Sequence, residues 1–189
     1  MRTLLIMFSA VFITATAQTL ALESDVFSIN QFAISHSSPV SFSIGYPKGW
    51  RVTQDSSPQL GGFITTDGIW ICTFWPTNYS STNWTTFTIW RSGGATTKEA
   101  AESFLASTRK DGIYTEKGLS SVRTSAGDSG CLVECEANIN GVRVIAHDFF
   151  FHSGNKGAIR ILIVTPAADS SWRSELDQMV SQTLRFDGA

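Results

Sequence analysis

Charge is scarce in this chain. Asp, Glu, Lys and Arg make up 16% of its 189 residues, and 14 basic against 16 acidic side chains leave a net charge of -2. No block of like charge stands out. Binding to nucleic acid or an anionic bilayer through a protein's field needs a basic patch, so neither partner is expected. After the first twenty or so residues no stretch is long and apolar enough to span a membrane, which takes ~20 such residues. Glycine-rich phosphate loops, CxxC pairs, low-complexity runs and internal repeats are all absent. No nucleotide, redox or zinc cofactor is therefore expected.

Cysteine is also short, with three residues, an odd number for a disulfide framework. A chain of this size buries roughly 68–70% of its unfolded surface, so its core needs no staples. Cys131 and Cys135 lie in CLVEC, which alternates like a strand. Four residues along a strand separate their Cα atoms by ~13 Å. A disulfide needs less than about 7 Å. The two cannot pair with each other or chelate one metal ion together. Cys72 could pair with either, or all three could be free thiols.

What is present begins with an export signal. Arg2 gives a positive start, residues 4–15 an apolar stretch, and Ala15-Thr16-Ala17 a small-x-small cleavage site, with Thr19-Leu20-Ala21 as a second. Residues 1–21 are thus expected to be a signal peptide. Residues 22–189 would form one secreted or periplasmic domain. No cysteine near either cleavage site offers a lipid anchor.

The remainder reads as strands with two helices. VFSINQFAI and VSFSIGY are strands around a turn at His36-Ser37-Ser38-Pro39. In the second, Val40, Phe42 and Ile44 alternate with Ser41, Ser43 and Gly45, the pattern of a half-buried antiparallel strand. Tyr46-Pro47-Lys48-Gly49-Trp50 then turns the chain and returns Trp50 to the core. Asp67-Gly68 marks a hairpin between GGFITT and IWICTFW. A polar loop at 76–83 carries the sequons Asn78-Tyr79-Ser80 and Asn83-Trp84-Thr85. WTTFTIWR follows as a strand. Phe87 and Ile89 take one face, and Trp84, Thr86, Thr88 and Trp90 the other.

A hydroxyl cap at Thr97-Lys98-Glu99-Ala100 opens a helix that runs to about Lys110, with Gly112 just past its end. Ala100, Ala101, Phe104, Leu105 and Thr108 form its buried stripe. Residues 112–125 read as one or two short strands. Ala126-Gly127-Asp128 is a turn, and SGCLVECEA a strand that turns back at Asn140-Gly141. Residues 142–165 then form two long strands about a turn at Ser153-Gly154-Asn155-Lys156, apolar on both faces and therefore covered on both. The closing helix is capped by Asp169, with Trp172, Leu176, Met179, Val180 and Thr183 inward and Phe186 as a tail anchor. Glu175 and Asp177 in its first half and Arg185 at its end suit the helix dipole.

This order resembles the PsbP-like fold family, the PsbP, Mog and DcrB type. The stretches that carry the likeness are FSIGYPKGW (42–50), TTKEAAESFL (96–105), HDFFFHSGNKGAIRILIVTPAAD (147–169) and LDQMVSQTLRF (176–186). The resemblance implies an α+β domain, an antiparallel sheet covered on both faces in an α/β/α sandwich. It also implies a non-enzymatic accessory, chaperone-like or adaptor role, with no shared catalytic residues to transfer. The chain departs from the family in its tryptophan-rich strands (Trp70, Trp75, Trp84, Trp90) and in lacking a lipoprotein cysteine.

Three constellations invite chemistry. Gly127-Asp128-Ser129-Gly130 is like the nucleophile loop of trypsin-like proteases. Here, however, Cys131 follows the motif, His36 is the only upstream histidine, and the chain is short for two β-barrels. A turn into a strand is the expected reading. His147, Asp148 and His152 suggest a metal. On a strand His147 faces away from the other two, which are ~13 Å apart. The expected reading is hydrogen-bonded polar groups in a sheet, with no metal bound. The third is the aromatic face of Trp84, Thr86, Thr88 and Trp90, with Trp75 and Tyr79 nearby. Tryptophan suits protein hot spots and sugar rings. The expected function is therefore an exported, non-enzymatic binding or accessory protein acting on a protein partner, or alternatively a carbohydrate- or small-ligand-binding module using the same strands.

Overall fold

The computed structural model describes residues 23–32, 40–54, 64–65, 68–78, 85–92, 96–152 and 158–186. In chain order the strands are β1 (Ser24–Phe32), β2 (Val40–Pro47), β3 (Arg51–Gln54), β4 (Ile64–Thr65), β5 (Gly68–Trp75) and β6 (Thr86–Ser92). Helix α1 (Thr97–Asp111) follows, then β7 (Tyr114–Arg123), β8 (Ser129–Ile139), β9 (Val142–His152) and β10 (Ala158–Pro166). Helix α2 (Ser170–Thr183) and the short β11 (Arg185–Phe186) complete it. The expected export signal and the turns at 36–39 and 153–156 lie outside the described residues.

The fold is α+β. An eight-stranded sheet runs in the order β3-β5-β6-β10-β9-β8-β7, with β4 paired to β5. Its pairings are antiparallel. A second, three-stranded sheet has the order β1-β2-β11. The two-sided apolarity of β9 and β10 decides how these pieces stack. Phe149, Phe151, Ile159, Ile161 and Ile163 point to one face and pack with Phe42 and Ile44 of β2 and Leu176 and Val180 of α2. Val144, Ala146, Phe150 and Val164 point to the other and pack with Ala100, Ala101 and Leu105 of α1. The large sheet thus has α1 against one face, and α2 with the small sheet against the other.

Local signals explain most boundaries. The Thr96 side chain accepts a hydrogen bond from the Glu99 amide (3.1 Å), and Gly112 ends α1 in the left-handed region at φ 67°. The expected stripe is the inward one: Thr108 is buried with both alanines and Leu105, and Phe104 packs beside them. Asn140 (φ 53°) and Gly141 (φ 82°) make the two-residue turn between β8 and β9, joining Ile139 opposite Val142. Trp50 folds back so that its ring lies 5.7 Å from that of Trp172.

Of the one or two strands expected over residues 112–125 there is one, ten residues long, and a bulge between Glu116 and Gly118 lets β7 stay paired with β8 past its glycine. Two expectations change. Asp169 occupies the N-cap of α2, but its side chain makes no capping bond. Its ψ of 58° departs from the extended conformation that aims a cap side chain at the first turn. The helix-dipole reading also falls. No acid lies in the first turn of α2 and no base in its last, Arg185 being in β11. The dipole's influence fades within a turn.

One strand glycine is a packing device. A Cβ on Gly130 would come within 2.6 Å of both the Phe150 carbonyl oxygen and the Phe151 ring. Substituting Gly130→Ala is expected to destabilise the fold by about 2 kcal/mol, in the range of an overpacked core. Urea denaturation should show the midpoint falling with the slope unchanged.

Candidate functional site

The aromatic strand is placed by register. Phe87 and Ile89 of β6 are buried in the core. Thr86 and Thr88 sit on the opposite face, across from Val164 and Leu162 of β10. Thr88 also faces Thr73 of β5, and the two hydroxyls are 3.1 Å apart. Trp75 shares this face two residues beyond Thr73. It is half-buried, and its indole N–H donates to the Thr53 hydroxyl of β3 at 3.1 Å. The sheet therefore gathers Trp75, Thr86 and Thr88 with Thr53 and Thr73.

Thr88 is not a surface group: it is 8% exposed and engaged with Thr73. Of the expected contact residues, Trp75 and Thr86 reach solvent. Trp84 and Tyr79 lie outside the described residues. Trp90 lies within β6, across from Trp70 and Arg160 in register, and its side chain is likewise outside the described set. The neighbouring Thr85 is 2% exposed, and its hydroxyl has no hydrogen-bond partner among the described residues.

The His-Asp-His run separates onto two faces, as strand geometry requires. His147 points toward α2, where Nδ1 lies 2.8 and 3.0 Å from the Asp177 carboxylate oxygens. Its Nε2 is 3.4 Å from Glu134. Asp148 points toward α1 and receives a two-pronged bond from Arg160, with Nε at 2.6 Å and a terminal nitrogen at 3.0 Å. Both side chains are almost wholly buried, and the guanidinium stacks 4.2 Å from the Phe104 ring centre. Among the described residues no three metal-ligating side chains converge.

Sequence reasoning missed Asp177 and Arg160 as the partners. Arg160 did carry a signal, because a lone cation within the apolar run AIRILIV has to be paired if it is buried. The choice of Asp148 comes from register. Arg160 lies opposite Phe150, so Asp148 is its diagonal neighbour on the same face.

Ser129 is exposed at the start of β8. The preceding turn uses Gly127 at φ 98°. The Asp128 carboxylate accepts from the Thr124 hydroxyl at 3.2 Å, while the Asp128 amide donates to that same hydroxyl. The acid of this motif thus serves its own turn. Ser129 bonds no histidine among the described residues.

Two grooves flank the β7–β9 end of the sheet. One, of about 650 Å3, runs beside β7 and is lined by Lys98, Leu119, Ser121, Arg123, Ser129 and Cys131 among others. The other, of about 310 Å3, lies between α2 and the sheet over Leu132, Phe149 and Phe151.

All three cysteines are free. Burial pushes the Cys72 thiol well above its ordinary range. Burial first, and then the Asp148 carboxylate, push Cys135 up to about 11. Cys131 is half-buried against the larger groove.

No protein-family description and no curated protein matches the chain. Solved structures do resemble it. A protein of unknown function from Pseudomonas aeruginosa, PA94, aligns over 82% of this chain and 94% of its own, at 11% identity and a TM-score of 0.45. A structure from Bacteroides thetaiotaomicron aligns over 78% of this chain at 16% identity, also with a TM-score of 0.45. This chain spans 46% of that second structure's length.

Two outcomes are expected. Iodoacetamide at pH 8 should label Cys131 in the native protein and spare Cys72 and Cys135, which react only after denaturation; peptide mass mapping reads this directly. Replacing Asp148→Ala should cost about 3–5 kcal/mol, because it strands a buried guanidinium. The double change Asp148→Leu with Arg160→Met should restore most of that stability, as thermal denaturation would show.

Proposed function

We propose that this chain is an exported, non-enzymatic binding or accessory protein acting through a protein partner, built as a PsbP-like α/β/α sandwich. The order of its elements and the helix against each face of an antiparallel sheet support the fold assignment. Residues 1–21, with the pattern of a signal peptide, support a secreted or periplasmic location.

The observation that carries the binding role is Trp75. It is partly exposed on a sheet strand, with the indole N–H held by Thr53. An aromatic fixed on a rigid element loses little freedom when it docks, which is what a protein hot spot requires. The alternative ligand is a carbohydrate, which the hydroxyl of Thr53 beside the ring also suits.

The test is affinity capture from the secreted or periplasmic fraction of the source cells, comparing the native chain with Trp75→Ala. A partner should be retained by the native chain and bound ~30-fold more weakly by the variant, about 2 kcal/mol for a hot spot. Equal recovery by both proteins counts against the reading. If a defined oligosaccharide shifts the tryptophan fluorescence of the native chain and not of the variant, the glycan alternative replaces it.

A further inference from the structure

The sheet ends in an open strand. Among the described residues β7 is the outermost strand beyond β8, and it is ten residues long. An edge of this length presents a row of backbone donors and acceptors toward solvent. Natural edges are usually blunted by charge, bulges or a cover. Here the blunting is confined to the first half of the strand. That half holds the bulge between Glu116 and Gly118. Its charges are already committed, Glu116 to Arg109 and Lys117 to Glu136. From Leu119 to Val122 the strand carries neither device, and Leu119 is 43% exposed.

The larger groove lies along this same unprotected half. Its charged lining residues are Lys98, from the first turn of α1, and Arg123, from the end of β7. Among the described residues no carboxylate lines it. Lys98 has only an exposed 3.7 Å pairing with Glu102, and Arg123 has no acidic partner among the described residues. An open backbone edge and an electropositive trough thus coincide.

We propose that β7 is a docking edge for an extended, acidic segment of another polypeptide, which adds to the sheet as a further strand. In such strand addition the main chain supplies affinity, and alternate side chains choose the ligand. One face of the added strand would place carboxylates between Lys98 and Arg123, and the other would remain in solvent. β3 and β7 are opposite edges of the sheet, so this surface is separate from the one that carries Trp75. Loss of binding at one leaves the other measurable.

The probe is a synthetic ten-residue peptide of alternating valine and aspartate, added to the full chain. Hydrogen exchange should slow at least tenfold at amides within β7 and not in β3. Alkylation of Cys131 should slow with it, since its thiol lines the same groove. Arg123→Glu should weaken binding at least tenfold while leaving the denaturation midpoint unchanged. The same peptide N-methylated at alternate residues should lose binding, because its main-chain donors are gone. Equal binding of the methylated peptide, or of a valine–lysine peptide, would overturn strand addition by an acidic segment. Sedimentation showing that β7 is closed by a second copy of this chain would overturn it too.

Discussion

Strands β9 and β10 are apolar on both faces, and the remaining elements answer to that. A strand of this kind cannot stand at an edge or line a solvent-facing sheet, because one row of side chains would be wetted. It needs neighbours on both sides and a roof above and below. β6 and β8 supply the neighbours. Helix α1 roofs one face, and α2 with β2 roofs the other. Phe149, Phe150 and Phe151 are consecutive and all buried, which is possible only between two such roofs.

Double coverage also explains the ionic groups. A polar or charged group buried on a strand like this must find its partner inside the layer it faces. Asp148 meets Arg160 beneath α1, and His147 meets Asp177 of α2. The first pair ties β9 to β10, and the second ties β9 to α2.

Much of this was legible in the sequence because it follows from period alone. The two faces of 142–165, the inward stripe of α1 and the opposite sides of His147 and Asp148 all come from alternation or helical spacing. What escaped depends on contacts distant in sequence. Nothing local to Asp169 shows that its backbone takes a ψ unsuited to capping. Nothing in WTTFTIWR shows that Thr88 meets Thr73 across fifteen residues, which turns an expected surface hydroxyl into a buried one. The open half of β7 was invisible for the same reason, because a strand's position in the sheet order is a property of pairing and not of its own residues.

The order of pairing has a kinetic side. β7, β8, β9 and β10 follow one another in the chain and lie side by side in the sheet. Their registers are therefore set by short loops, such as the two residues between Ile139 and Val142. The pairing of β6 with β10 is different, since it joins Ile89 to Ile161 across α1 and three strands. Closing a long loop costs more chain entropy than closing a hairpin. The meander from β7 to β10 is thus the segment able to form as a unit first. The β3–β5–β6 half and the strand pairing of β2 with β11 dock onto it later, when its exposed phenylalanines and isoleucines are what they condense upon.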